Sequence, residues 1–141
     1  MREILFKAKR IDNGEWVEGY VFDDGIIDSK RMFVGGFVIT EYKGTADDKW
    51  NVGINFHEVN PDTVCQYTGL TDTNGNKIWE NDIVEIPNEY EYFLLEWEED
   101  TARFVMNGDR LTVDFDNYWS YEVEVIGNAF DNPELLEGGS E

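Results

Sequence analysis

In the run Asp72, Asn74, Asn76, Ile78 and Glu80, residues stand at alternate positions and all but Ile78 bear a side-chain oxygen, the spacing with which a calcium loop surrounds its ion. Counted from Asp72, such a loop needs Gly at its sixth position and a bidentate Glu at its twelfth, and here those are Lys77 and Ile83. Asn74-Gly75 is instead a strong short-range hairpin signal, so the run reads as a turn. His57 and Cys65 are the single histidine and cysteine, eight residues apart around Pro61-Asp62. They could form a thiol–imidazole pair, but Cys65 stands in an apolar run with only acids nearby. Acids raise a thiol pKa, and the residue reads as a packed small side chain. One His and one Cys also exclude zinc sites of the usual composition. With no phosphate loop, serine elbow or dinucleotide fingerprint, the sequence predicts no enzyme, no catalytic residue, no metal and no cofactor.

The remaining chemistry is carboxylate. Residues 1–60 hold 11 acids and 8 bases, residues 61–86 hold 5 and 1, and residues 87–141 hold 15 and 2, so the net charge of -20 is concentrated toward the C-terminus. Such a surface repels phosphate backbones, and direct nucleic-acid binding is not expected. Alternate strand residues stand about 6 to 7 Å apart on one face. Glu96/Glu98, Asp114/Asp116 and Glu122/Glu124 would then each show two carboxylates to solvent, forming a candidate interaction surface. These rows admit two readings: outer faces that solubilise the sheet and block edge pairing, or an imitation of a nucleic-acid backbone.

The elements that must position them are strands. Aromatic and β-branched residues alternate with Gly, Asn and Asp, and strong helix formers are sparse. Residues 3–11 and 15–22 flank Asp12-Asn13-Gly14 as a hairpin, and Val52, Ile54 and Phe56 share a side of a later strand. Gly35-Gly36 interrupts an apolar strand and predicts a bulge or bend, the kind of device that curls a sheet. Thr40 to Asn51 reads as a surface loop. Thr63 to Tyr67 leads to the Asn74-Gly75 turn, and Ile83 to Ile86 resumes extended structure closed by Pro87. Four or five short strands in the following residues suit a small barrel. PELLE after Asn132 reads as a short helical turn. The expected organisation is an antiparallel β region over 1–60, a central hairpin and small barrel over 61–131, and a tail over 132–141, with the Asn74-Gly75 turn as the hinge between the halves. The charged N-terminus and the lack of any long apolar run predict a cytoplasmic protein without a membrane segment.

The stretch TVCQYTGLTDTNGNKIWENDIVEI resembles the YopX family, small proteins of phages and prophages of bacteria, whose pattern looks like QYTGL-D-NG-I-E-GDIV. The positions that carry the likeness include Gln66, Tyr67, Thr68, Gly69, Leu70, Asp72, Gly75, Glu80 and Asp82, and both chain ends are similar as well. Cys65, Trp79 and Asn81 depart from the commonest residues. Asn is the best non-Gly residue for a positive-φ turn, so the turn at 81 stands. The resemblance implies a mainly β fold with an SH3-like barrel in the C-terminal part and little helix. It implies no activity. The expected function is a non-enzymatic phage or prophage accessory protein that binds another protein. The alternative is an acidic decoy that blocks a host nucleic-acid-binding protein. An unpaired edge strand would also leave self-association open.

Overall fold

The computed structural model describes residues 3–41, 50–89 and 91–138. Strand accounts for 52% of the chain. Among the described residues, helix is limited to a 3-10 turn at Pro61–Thr63 and two short segments, α1 (Asn117–Ser120) and α2 (Glu134–Gly138). The fold is therefore mainly β with antiparallel pairing, as composition implies, and α2 falls on the PELLE segment. The chain divides into two compact units, residues 5–64 and residues 1–4 with 65–141.

In the unit of residues 5–64, four strands run in the order β4-β3-β2-β1: β1 (Phe6–Lys9), β2 (Trp16–Asp23), β3 (Met32–Glu41) and β4 (Trp50–Val59). The first hairpin turns where Asp12-Asn13-Gly14 predicts it, with Gly14 at φ 73°. The sheet curls until its first strand meets its last. Arg10 bridges to Val59, the Ile11 N–H donates to the Glu58 carbonyl at 3.0 Å, and the Asn60 N–H donates to the Lys9 carbonyl at 2.9 Å. Inside the curl Ala8, Val34 and Val59 are fully buried, with Val17, Val21, Met32 and Val64 packed against them.

The glycine pair permits this curvature, as expected of it, but of the two devices expected there a bulge is not the one used. Pairing of β3 with β4 is unbroken from Met32–Val59 to Glu41–Trp50, straight through Gly35 and Gly36. A Cβ on Gly35 would stand 1.9 Å from the Asn55 carbonyl oxygen, and one on Gly19 would stand 2.4 Å from the Gly35 carbonyl oxygen. The glycines let neighbouring backbones approach more closely than a side chain allows, so the sheet curls with its ladder intact. Thr40 and Asn51, read as loop, are paired strand residues; positions 42–49 of that segment lie outside the described residues.

In the other unit, β5 (Cys65–Thr71) and β6 (Lys77–Trp79) form a hairpin. β7 (Asp82–Ile86), β8 (Glu91–Glu98), β9 (Arg103–Asn107), β10 (Thr112–Asp114) and β11 (Glu124–Asn128) form a sheet in the order β10-β9-β8-β7-β11. Ile78, Val84, Phe93, Leu95, Met106 and Val123 make its core, with Phe115, Trp119, Ile86 and Val125 at the margin. Each such large side chain contributes roughly 1.5–3 kcal/mol by leaving water. Among the described residues no pairing joins β10 to β11, so closure into a barrel is not seen. The Asn74-Gly75 turn lies wholly within this unit rather than hinging two halves. The cause is Asp72, which ties the turn to β11, 53 residues further on. No helix among the described residues is long and apolar enough to cross a membrane.

Candidate interaction surface

Register sorts the six carboxylates of the predicted rows. Glu96 stands opposite Val105, and Val105 opposite Asp114, while Glu98 stands opposite Arg103. Glu96, Glu98 and Asp114 therefore share the outer face of this sheet, away from Phe93, Leu95 and Met106. They do not form an uninterrupted row. Arg103 donates to Asp114 at 3.0 Å and lies 3.7 Å from Glu98, while Glu96 accepts from the Asn107 amide at 3.0 Å. Asp116 and Glu122 fall outside the strands, because β10 ends at Asp114 and β11 begins at Glu124. Asp116 instead caps α1, accepting from the N–H groups of Tyr118 and Trp119. Glu124 faces Glu85 across the β11–β7 pair and accepts from the Asn74 amide at 3.3 Å.

The hairpin of residues 65–86 is braced internally. Gly69 (φ 89°) and Gly75 (φ 84°) take the left-handed conformations that their residue type allows, and Asn81 does so at φ 69°. The Asp72 carboxylate is 3% exposed and accepts four hydrogen bonds: from the N–H groups of Asn74, Asn76 and Val125, each at 2.9 Å, and from the Asn76 amide at 3.3 Å. Its oxygens are thus occupied by donors, which makes the spacing of Asp72, Asn74 and Asn76 a capped turn. Asp82, also buried, accepts from the Trp79 N–H at 2.8 Å, and Thr68 donates to the Ile78 carbonyl at 2.7 Å. Gln66 and Glu80 are joined twice. The Glu80 N–H donates to the Gln66 carbonyl, and the Gln66 N–H donates to the Glu80 carboxylate. Tyr67 packs on Trp79 at 5.4 Å, and Leu70 is half-buried. Cys65 is buried, with the Asn81 amide 3.6 Å from its sulfur, while His57 stands opposite Val34 on β4.

A third surface, not marked as a site by the sequence, lies on the four-stranded sheet. Period two and register put Trp16, Glu18, Tyr20 and Phe22 of β2 on the face that also holds Phe33 and Phe37 of β3 and Ile54, Phe56 and Glu58 of β4. Tyr20 is 55% exposed, Phe22 42%, Phe37 68% and Ile54 64%. Lys7 and Lys9 sit over the Trp16 ring, Arg31 over Phe33, and Phe22 meets Phe56 edge-on at 4.5 Å. The alternation along β2 was legible. That the opposite face alone is needed for the core was not, because only strand pairing reveals that four strands curl around Val34 and leave their other side to solvent.

Residues 5–137 match the family described as YopX protein. The chain belongs to the YopX family. The crystal structure of protein EF1440 from Enterococcus faecalis is similar to this YopX chain over 96% of its residues and 99% of that protein, with 26% identity and a TM-score of 0.63. No curated protein matches it.

Within the YopX motif, Glu80 is the residue whose environment works against its charge. Burial pushes its carboxyl above the ordinary range, the Gln66 N–H partly offsets this, and Glu99 adds to the rise. A carboxyl with a raised folded-state pKa weakens the fold progressively as pH rises from its unfolded-state value through the folded-state one, and the loss is complete above the latter. Glu80→Gln keeps an acceptor for Gln66 and removes the charge. Thermal unfolding should show the variant melting above wild type at pH 7, with the difference shrinking as pH falls and vanishing below about pH 3, where the carboxyl is protonated in both states.

Proposed function

We propose that this protein is a non-enzymatic accessory protein of a phage or prophage that acts as a protein-binding module, using the outer face of its four-stranded sheet. The observation that carries the reading is the continuous exposure of Tyr20, Phe22, Phe37 and Ile54 on one side of paired strands. Isolated exposed apolar residues are ordinary, whereas a contiguous aromatic patch with a polar margin marks a contact surface. The unit that holds residues 65–141 is, on this reading, of SH3-like type. Its strand order β11-β7-β8-β9-β10, with the helical turn α1 before the last strand, supports that assignment. The setting is the bacterial cytoplasm.

The test is capture from a bacterial lysate by the immobilised protein and by its Tyr20→Ser and Phe37→Ser variants. Wild type should retain a partner through washes of rising salt, and each variant should retain at least about tenfold less. Equal retention by the variants would remove the aromatic face from the reading. The acidic-decoy alternative draws on Glu85, Glu96, Glu98, Asp114 and Glu124 on the outer side of the five-stranded sheet, with Arg103 among them. A partner released by moderate salt and displaced by duplex DNA would favour it.

A further inference from the structure

Strands β2 and β3 are paired from Asp23–Met32 to Tyr20–Gly35 and then part. Their backbones nearly touch where they separate, since a Cβ on Gly19 would stand 2.4 Å from the Gly35 carbonyl oxygen. Beyond that point Val17, Glu18 and Gly19 pair with β1, and β3 from Gly36 to Glu41 pairs with β4. Among the described residues neither stretch has a strand on its second side, so two main-chain edges face each other with no ladder between them. Every residue there carries an N–H and a C=O, and a strand paired on one side only leaves about half of these groups unused. The gap is open space. A cavity of about 440 Å³ lies in it, bounded by Val17, Val34, Asn55 and His57 toward the inside of the curl and by Tyr20 and Phe37 toward solvent. A Cβ on Gly36, which also lines the cavity, would meet nothing nearer than the Tyr20 ring at 3.8 Å.

We propose that this gap is a binding site for an extended segment of another polypeptide, which enters between β2 and β3 as an added strand. This rests on the protein-binding reading above and names the class of partner. Hydrogen bonding selects the occupant. Two facing strand edges present N–H and C=O groups at strand spacing, and an extended main chain answers them on both of its sides. A helix does not, because its own ladder already engages its N–H and C=O groups. Charge is secondary. Residues 33–40 and 53–57 hold no Asp, Glu, Lys or Arg, and Glu18, the acid that lines the gap, stands opposite Lys7. Side chains of the entering strand alternate, so every second one comes to lie beside Tyr20 and Phe37 and the others lie toward Val34 and His57. The segment is therefore one with apolar residues at alternate positions, held by its main chain and insensitive to salt.

The test is to pan a displayed library of random peptides, each long enough to span about 20 Å when extended, against the full chain and to synthesise those enriched. They should carry apolar residues at alternate positions and bind equally at low and high salt. Methylation of either alternate set of their backbone nitrogens should weaken binding at least about tenfold, because a strand paired on both sides uses both sets of N–H donors while its side chains stay in place. Gly36→Val, which grows a strand-favouring side chain into the cavity, should weaken binding by a similar factor with the circular dichroism spectrum unchanged. Ile54→Ser, exposed on the same face but not lining the gap, should leave binding unchanged. No enrichment over an unrelated protein of similar charge, or enriched peptides indifferent to backbone methylation, overturns the proposal. So does a dimer seen in sedimentation and abolished by Gly36→Val, which would give the gap to a second copy of this chain. Lysate capture lost in Phe37→Ser while no peptide is enriched would overturn only this inference and leave the protein-binding reading standing. Methylation-sensitive peptides together with lysate capture unchanged in Tyr20→Ser and Phe37→Ser would remove the outer face from that reading and leave the gap as the binding site.

Discussion

Asp72→Ala is expected to lower the unfolding free energy by about 3 to 5 kcal/mol in urea titrations. The carboxylate is buried and satisfies three backbone N–H groups and one side-chain amide. Truncation leaves those donors without an acceptor, and each buried orphan costs about 1 to 3 kcal/mol, partly recovered if water enters. Asn at the same position keeps one acceptor oxygen but presents an amide where Val125 needs an acceptor, so Asp72→Asn should fall between Ala and wild type. The pH dependence follows from the same contacts. Burial alone would push the Asp72 carboxyl up, but the N–H groups of Val125, Asn76 and Asn74 and the Asn76 amide outweigh it and hold the pKa below its ordinary value. With the folded-state pKa the lower of the two, the stabilisation is complete above the unfolded-state value, about 3.9, and is lost as pH falls through the folded-state pKa. Wild type and Asp72→Ala should therefore differ most near neutrality and converge in acid. A gap that stays constant down to strong acid would mean that the carboxylate's charge contributes nothing.

Gly35→Ala should destabilise the unit of residues 5–64 by about 3 kcal/mol or more, whereas Gly36→Ala should cost no more than about 1 kcal/mol. The two residues are neighbours in the same strand, so strand propensity cannot separate them. Space does. The added methyl at 35 would fall 1.9 Å from the Asn55 carbonyl oxygen and 2.8 Å from the Phe56 Cα, both backbone atoms in a paired strand that can yield only by opening the ladder. At 36 the nearest atom is the Tyr20 ring at 3.8 Å, an ordinary contact. Hydrogen exchange resolves the outcome: in Gly35→Ala the β3–β4 amides should lose protection well before those of β7 and β8. Equal effects of the two substitutions would show that the strands can separate at little cost.

Much of this architecture was legible residue by residue. Asn13-Gly14, Asn74-Gly75 and Asn81 turn where their tolerance of positive φ predicts, and Leu95 and Val123 are buried as their alternation requires. The motif positions from Gln66 to Asp82 were readable as turn chemistry, and their hydrogen bonds are those of a braced hairpin. Readings stayed open, or failed, where one residue type serves two purposes. A glycine pair in a strand can mean a bulge or a close approach, and only the position of the Asn55 carbonyl decides between them. Alternating acids can extend a strand or leave it, and Asp116 leaves because its carboxylate caps the following helical turn.

Local sterics and side-chain periodicity act within a few residues, so the sequence by itself determined the β class, the glycine and asparagine turns and the concentration of negative charge in residues 87–141. Strand register and curvature act across tens of residues. They alone decided that Asp72 reaches Val125, that Arg103 sits between Glu98 and Asp114, and that the aromatic side of β2, β3 and β4 faces outward. The candidate surface belongs to this second group. Tyr20, Phe37 and Ile54 lie far apart along the chain and share a face only because their strands pair in one register.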